Sequence, residues 1–156
     1  MRKPNALEVS PGVVLRRYSS EESQAIAEAW LAAFGGTGAP NMNEYMWHAL
    51  SFKAHPCVSL QEAEAQYNQQ VAQSYIVLSN DREQAVETDL RPATCNESDY
   101  YVFPLNLAWT MAFTHEDGWL GPYFAKHMRY ITLNQQNIDS IEKSRAVENA
   151  RQKGWL

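Results

Sequence analysis

Leu105-Asn-Leu-Ala-Trp-Thr-Met-Ala-Phe-Thr114 is the most regular pattern in this 156-residue chain. Large apolar side chains occupy every second position from Leu105 to Phe113, and small or polar ones lie between them. A period of two residues is the pattern that a β-strand imposes, because successive side chains point to opposite faces of a sheet. We therefore predict a central strand over residues 105–113, with Trp109 on its buried face.

Three shorter strand patterns lie upstream of this segment. Tyr75–Leu78 is an apolar run, Asn80-Asp81 is a turn signal, and Ala85–Leu90 fits a returning strand. This order predicts a β-hairpin. Tyr100–Phe103 predicts a further strand, which Pro104 ends.

The first half of the chain carries helical periodicity instead. Ser19 and Glu22 have the spacing of a capping box, and apolar residues then recur every four positions at Ile26, Trp30 and Phe34, until Gly35-Gly36 ends the helix. A second helical pattern contains Met42, Met46, Ala49 and Leu50. A third begins with a predicted capping box from Ser59 to Glu62 and carries Leu60, Ala63, Tyr67 and Val71.

These patterns predict one domain over residues 1–156 with an α+β fold. Residues 1–18 form an extended lead-in with a short strand at Val13–Leu15, and residues 134–153 form a C-terminal helix. Helices come first and strands second, without regular βαβ alternation. We therefore expect a helical N-terminal half packed on one face of a mainly antiparallel sheet.

Composition narrows the class of protein. Thirteen Lys and Arg against eighteen Asp and Glu give a net charge of −5, which argues against nucleic acid and suits a basic protein partner. Apolar runs are too short for a membrane span, and the N-terminal residues lack the apolar centre of a secretory signal. We therefore expect a cytoplasmic protein whose two cysteines, Cys57 and Cys95, are free thiols.

Motifs of the better-known enzyme classes are absent from the sequence. The chain has no phosphate-binding glycine loop, no Cys-x-x-Cys, no His-Glu-x-x-His and no Gly-x-Ser-x-Gly. We expect no bound cofactor and no metal, since no set of ligands has metal-binding spacing.

The polar run His115-Glu116-Asp117 is the main candidate for a catalytic site, because it follows the predicted central strand. A histidine among carboxylates can act as a general acid or base. The alternative is a structural turn, in which Asp117 sets the backbone geometry and Glu116 is solvated. Both interpretations stay open from the sequence.

Other candidates are single residues or short segments. His48 follows Trp47 on the second helix and is either a catalytic residue or a hydrogen-bonded structural one. His55-Pro56-Cys57 could hold an activated thiol, although a free cysteine is usually inert. The aromatic loop that contains Trp119, Tyr123 and Phe124 could bind a partner or dock on the sheet.

Several short motifs together resemble a known family. They are Met46–Phe52 with its Trp-His pair, Pro56-Cys57, Asp99–Val102, the Trp109-Thr110 strand that ends in Thr114-His115-Glu116, and Gly121–Phe124. As a set they are similar to a family of small bacterial proteins known only as a domain of unknown function, over about residues 25–125. The resemblance implies a bacterial source and a shared fold, and it brings no catalytic residues.

The sequence therefore leaves two candidate functions. The first is a non-enzymatic binding protein, such as an immunity protein that neutralises a bacterial toxin, since small acidic α+β domains resemble immunity proteins in architecture. The second is a small hydrolase or metal-dependent enzyme that uses His115 with Glu116 or Asp117, aided by His48. A His115 imidazole bonded to a carboxylate in an open pocket would favour the enzyme, whereas a packed imidazole would favour binding.

Overall fold

The computed structural model describes residues 6–36 and 44–155, which form an α+β fold. Short strands and helices are mixed as far as α3, and strands then dominate as far as a long last helix. In chain order the elements are β1 (Val9–Ser10), β2 (Val14–Arg17), α1 (Ser20–Phe34), α2 (His48–Ser51), β3 (Val58–Ser59), α3 (Leu60–Asn68), β4 (Tyr75–Ser79), β5 (Ala85–Thr88), β6 (Thr94–Cys95), β7 (Tyr100–Pro104), β8 (Trp109–Phe113), β9 (Tyr123–Lys126) and α4 (Tyr130–Gln152).

Seven of the strands form one antiparallel sheet in the order β2-β5-β4-β7-β8-β9-β3. The predicted hairpin is confirmed, because β4 and β5 pair in register from Tyr75 opposite Thr88 to Leu78 opposite Ala85. β7 lies in the middle of the sheet, and β8 is its neighbour. Strands β1 and β6 form a separate two-stranded pair.

The predicted strand over residues 105–113 is only half correct, because β8 begins at Trp109. Leu107 has a φ of +59° and donates its backbone N–H to the Pro104 carbonyl, so this segment is a turn. The Asn106 side chain accepts from the Ala108 N–H at 3.2 Å and supports that turn. Hydrophobic residues alternate both in the turn over residues 105–108 and in β8. The turn is fixed by backbone hydrogen bonds, which a hydrophobic pattern does not predict.

Both faces of the sheet are covered, and the helices divide between them. One buried cluster joins α1 and α2 to one face of the strands and contains Trp30, Phe34, Trp47, Leu50, Ile76, Tyr101 and Ala112. The other cluster joins α3 to the opposite face and contains Ala63, Tyr67, Tyr75, Val77, Trp109, Met111 and Phe124. The expectation that all helices pack on one face is therefore wrong for α3. Both faces of β8 are buried, so its small residues are also core residues.

The two predicted capping boxes have different outcomes. The first is confirmed, since Ser19 Oγ accepts from the Glu22 N–H at 3.1 Å and Glu22 Oε1 accepts from the Ser19 N–H at 2.9 Å. The second is wrong, because Ser59 makes no capping bond with its side chain. Leu60 has a φ of +57° and donates its N–H to the Pro122 carbonyl, so pairing with the β9 region sets the start of α3.

The remaining helices differ in length from the predicted ones. The second helical pattern forms only the single turn α2, preceded by the buried Met46, and Met42 lies outside the described residues. Helix α4 begins at Tyr130, four residues before the predicted start. In the part of the chain that the structure describes, no helix is long and apolar enough to cross a membrane.

Candidate functional site

The turn that leaves β8 is held by Asp117. Its Oδ1 accepts from the Thr114 N–H at 3.0 Å and from the Thr114 hydroxyl at 3.2 Å. The Gly118 N–H donates to the Gly121 carbonyl at 2.9 Å and closes the turn. Burial raises the pKa of Asp117, and the two hydrogen bonds from Thr114 oppose that rise. Asp117 thus has the structural role that one interpretation of the sequence assigned to it.

His115 points away from that turn and bonds to Asp99, which precedes β7. The His115 Nδ1 lies 2.9 Å from Asp99 Oδ1 and 3.1 Å from Asp99 Oδ2. The same Oδ1 accepts the His115 backbone N–H at 3.2 Å and the Trp47 Nε1–H at 3.0 Å. One carboxylate therefore fixes both the backbone and the ring of His115 and ties them to the residue before α2.

The pair is asymmetric in its exposure to solvent. The His115 side chain is 43% exposed, whereas the Asp99 side chain is 13% exposed. The hydrogen bond that Asp99 accepts from the ring is the largest cause that raises the pKa of His115, and the negative charges of Asp99, Glu116 and Asp117 add to the rise. Nε2 of His115 makes no hydrogen bond to the described residues, so it can donate to or accept from another molecule.

Four rings form a continuous line across this surface. Phe52 contacts His48 with ring centres 5.4 Å apart, His48 contacts Tyr45 at 5.4 Å, and Tyr45 contacts His115 at 5.2 Å. We call these four residues the aromatic row. The buried Trp47 supports the row, with its ring centre 4.6 Å from His48 and 5.8 Å from His115.

The structure therefore unites two candidates that are far apart in sequence, His48 and His115. It leaves Glu116 outside the pair. The Glu116 backbone N–H donates to the Thr114 hydroxyl, and among the described residues no hydrogen bond joins the Glu116 carboxylate to His115. Asp99 and Tyr45 were not predicted as site residues. An aspartate just before a strand is a weak signal, because nothing local shows that β7 and β8 are neighbours.

The three candidates in the aromatic loop differ in their exposure to solvent. Trp119 is 74% exposed and remains available to a partner. Tyr123 and Phe124 are buried, because they belong to β9 and each side chain enters one of the two core clusters. The prediction that these two residues form a binding surface is therefore corrected: they dock on the sheet.

The thiol candidate lacks the surroundings of a reactive cysteine. Cys57 Sγ donates to the Leu50 carbonyl at 3.3 Å, and burial raises the pKa of the thiol. The neighbouring His55 is buried and bonds through Nε2 to the Lys126 carbonyl at 2.8 Å, so it does not activate the thiol. Cys57 and Cys95 are both free.

Metal binding can be assessed in residues 6–36 and 44–155. No group of three or more His, Cys, Asp or Glu residues there is arranged to hold a metal ion. His115 and Asp99 lie close together, yet they supply only two such side chains. What the arrangement offers chemically is an oriented imidazole beside partly exposed rings.

Comparison with known proteins identifies a family. The chain belongs to the family described as Domain of unknown function (DUF4275), which matches residues 37–124, more than half of the sequence. No curated protein and no solved structure matches the chain significantly. The predicted resemblance is confirmed, and the matched range includes the aromatic row and Asp99.

Proposed function

We propose that this DUF4275 member is a non-enzymatic protein-binding domain that contacts its partner through the aromatic row. The observation that carries the proposal is the line of partly exposed rings from Phe52 to His115, which lies outside a deep pocket. Aromatic side chains supply much contact area at little entropic cost, and they are enriched where interfaces are strongest. Here the rings are already fixed by mutual contacts and by Asp99.

The row combines exposure with support from below. Phe52 is 55% exposed, and Tyr45 and His48 are half-buried. Trp47 beneath them is held by hydrogen bonds from both its nitrogens, to Asp99 from the ring and to the Tyr101 hydroxyl from the backbone. A preorganised surface pays less ordering entropy when it binds, which favours affinity.

The charge of the chain favours a basic partner. A net charge of −5 attracts a basic protein at long range and raises the rate of encounter. Together with the lack of strong enzyme motifs, this supports an immunity-type role in which the domain neutralises a basic toxin by direct contact. That finer proposal rests on analogy of architecture and charge.

Photo-cross-linking in cells tests the surface. A benzophenone amino acid at Phe52 lies on the aromatic row, and the same probe at Leu105 is the matched control, since both side chains are 55% exposed. Leu105 precedes β8, whereas His115 follows it, so the control samples the other end of that strand. We expect one basic protein to be captured from position 52 and not from position 105. Equal capture from both positions would refute this surface as the binding site.

The captured protein then allows a measurement of affinity. His115→Ala and Asp99→Asn should each weaken binding by about tenfold or more, because they remove an oriented donor or its support. Glu116→Gln, next to His115 in sequence, should leave affinity unchanged. Unchanged affinity in folded His115→Ala and Asp99→Asn variants would contradict the role given to the pair.

The immunity-type role has its own test. If the captured partner stops growth when it is expressed alone, co-expression of this chain should restore growth. The His115→Ala variant should restore it less well at equal abundance. A partner that is harmless alone would exclude the immunity-type role and leave the binding proposal intact.

One observation favours an enzyme as the second candidate. A carboxylate on Nδ1 and an open Nε2 is the arrangement in which a histidine acts as a general base. No described serine, threonine or cysteine bonds to Nε2, so water would be the attacking group. Hydrolysis of simple esters or phosphoesters that is lost in both His115→Ala and Asp99→Asn would support the enzyme. Activity that persists in both variants would exclude this site.

A further inference from the structure

The segment that carries most of the aromatic row has little regular structure of its own. Residues 44–47 form neither helix nor strand, and α2 after them is a single helical turn. The residue before α2, Trp47, provides no side-chain cap. A helix this short is marginal in water, so contacts from other parts of the chain must fix the positions of Tyr45 and His48.

Asn80 supplies two such contacts with its side chain. Its Oδ1 accepts from the Met46 N–H at 3.3 Å, and its Nδ2 donates to the Glu44 carbonyl at 2.8 Å. A backbone N–H can only donate and a carbonyl can only accept, so these partners fix the orientation of the amide. Asn80 lies in the turn between β4 and β5, and in the sequence it indicates only that turn.

The Tyr101 hydroxyl extends the same set of bonds. It accepts from the Trp47 N–H at 2.9 Å and donates to Asn80 Oδ1 at 2.6 Å. Burial raises the pKa of Tyr101 well above its ordinary value, so the hydroxyl keeps its proton and remains a donor. Because Tyr101 is fully buried in β7, the segment before α2 is anchored to the middle of the sheet.

Asn80 is also bonded to the other side of the site. Its backbone N–H donates to the Asp99 carbonyl at 3.2 Å. Asp99 in turn bonds to the His115 ring and to Trp47 Nε1. The segment before α2 and the residue that orients His115 are therefore both bonded to one asparagine.

We infer that Asn80, acting with the Tyr101 hydroxyl, is the positioning residue of the aromatic row. The inference rests on the proposed function, since Asn80 would affect binding through the rings that it positions. Loss of the amide would leave backbone groups of Glu44 and Met46 without a partner, and the segment would sample other positions. Binding would then have to order the row again, which lowers affinity.

Nuclear magnetic resonance of the free, full chain tests the positioning. Asn80→Asp keeps the shape of the side chain, but it replaces the amide donor by an oxygen that faces the Glu44 carbonyl. The rings of Tyr45 and His115 have their centres 5.2 Å apart, close enough for nuclear Overhauser contacts between their protons. We expect these ring contacts in the wild type and their loss in Asn80→Asp.

Asn96→Asp is the matched control. Asn96 makes the same two kinds of bond, since its Oδ1 accepts from the Glu8 N–H at 2.9 Å and its Nδ2 donates to the Ala6 carbonyl at 2.8 Å. It holds a segment near the start of the chain rather than the segment before α2. Its substitution should therefore leave the ring contacts intact.

A second pair of variants decides the question if Asn80→Asp does not fold. Tyr101→Phe removes only the hydroxyl that joins Asn80 to Trp47. Tyr67→Phe is its control, because the Tyr67 hydroxyl, in the other core cluster, donates to the Pro92 carbonyl. Both variants should lower the free energy of unfolding, but only Tyr101→Phe should weaken the ring contacts. This comparison separates positioning from a general loss of stability.

The protein captured with the probe at Phe52 allows a second measurement. Its dissociation constant should rise about tenfold with Asn80→Asp or Tyr101→Phe, because the row is no longer ordered before binding. It should stay unchanged with Asn96→Asp or Tyr67→Phe.

Three results would overturn the inference. They are ring contacts that persist in the folded Asn80→Asp and Tyr101→Phe variants, an equal loss of these contacts in the two controls, or an unchanged dissociation constant where the contacts are lost. The ring contacts are measured without a partner. Failure of the positioning is therefore distinguished from failure of the proposed function, which would appear as the absence of any protein captured at Phe52.

Discussion

The strand β8 and the turn that follows it adjoin in the chain but are held by different forces. In β8, Trp109 and Met111 are buried in one core cluster and Ala112 in the other. In the turn, Asp117 provides hydrogen bonds to Thr114, and His115 bonds to Asp99. Apolar burial holds the strand, whereas a few directed polar contacts hold the turn.

This difference explains why a functional surface can lie beside a rigid core. Loss of apolar contacts affects the whole fold, because packed interiors relax only partly around a cavity. Loss of one polar contact on a turn affects mainly local geometry. Within the turn itself, Asp117 and His115 also have different surroundings. Asp117 bonds to Thr114 inside the turn, whereas the His115 side chain is partly exposed to solvent.

The largest expected effect tests the strand. Trp109→Ala should lower the free energy of unfolding by about 3–5 kcal/mol, because a fully buried ring is removed from the core. Denaturant unfolding measures the change. Trp155→Ala is the control, since Trp155 is 72% exposed and its loss should cost little. Equal stability of the two variants would contradict the account of β8.

The same residue allows a finer measurement. Trp109 Nε1 is buried and has no hydrogen-bond partner among the described residues. Trp109→Phe removes this N–H while it keeps most of the apolar ring, so it should cost clearly less than Trp109→Ala. An equal loss would show that the six-membered ring does not dominate the packing.

An intermediate effect tests the turn. Asp117→Ala should lower the free energy of unfolding by about 1–2 kcal/mol, because the Thr114 N–H and hydroxyl lose a partly buried carboxylate. Chemical denaturation at neutral pH measures this value. Glu116→Ala, its neighbour, should change stability much less. If both variants behave alike, Asp117 does not hold the turn.

The smallest effect is a pH dependence at His115. Its pKa is raised by Asp99, so the pair stabilises the folded state most at a pH below the unfolded value of about 6.5. That contribution is lost as pH rises through the folded pKa. The free energy of unfolding of His115→Gln should therefore fall below that of the wild type by a larger amount at acidic than at alkaline pH, as chemical denaturation at both pH values would measure.

Nuclear magnetic resonance can measure the same effect directly. The His115 ring should titrate at a lower pH in Asp99→Asn than in the wild type, since the charged acceptor is gone. An unchanged His115 titration would show that Asp99 does not set the pKa of His115.

Local pattern predicted much of the fold. The first helix with its Ser19 capping box and the β4–β5 hairpin were correct, because a capping box and a turn signal between two strand patterns are local properties. The start of β8 and the cap of α3 were wrong. At Leu107 and at Leu60 a positive φ is stabilised by backbone bonds to Pro104 and Pro122, and hydrophobic pattern carries no information about such bonds.

The sequence by itself determined the α+β class, the burial of Trp109 and His115 as a residue of interest, since each depends on composition or on neighbours along the chain. Tertiary structure alone decided that Asp99 is the partner of His115, sixteen residues away, and that Phe52, His48 and Tyr45 join it in one row. It also buried Tyr123 and Phe124. The physical reason is strand order: only pairing of β7 with β8 brings the residue before one strand beside the residues after the other.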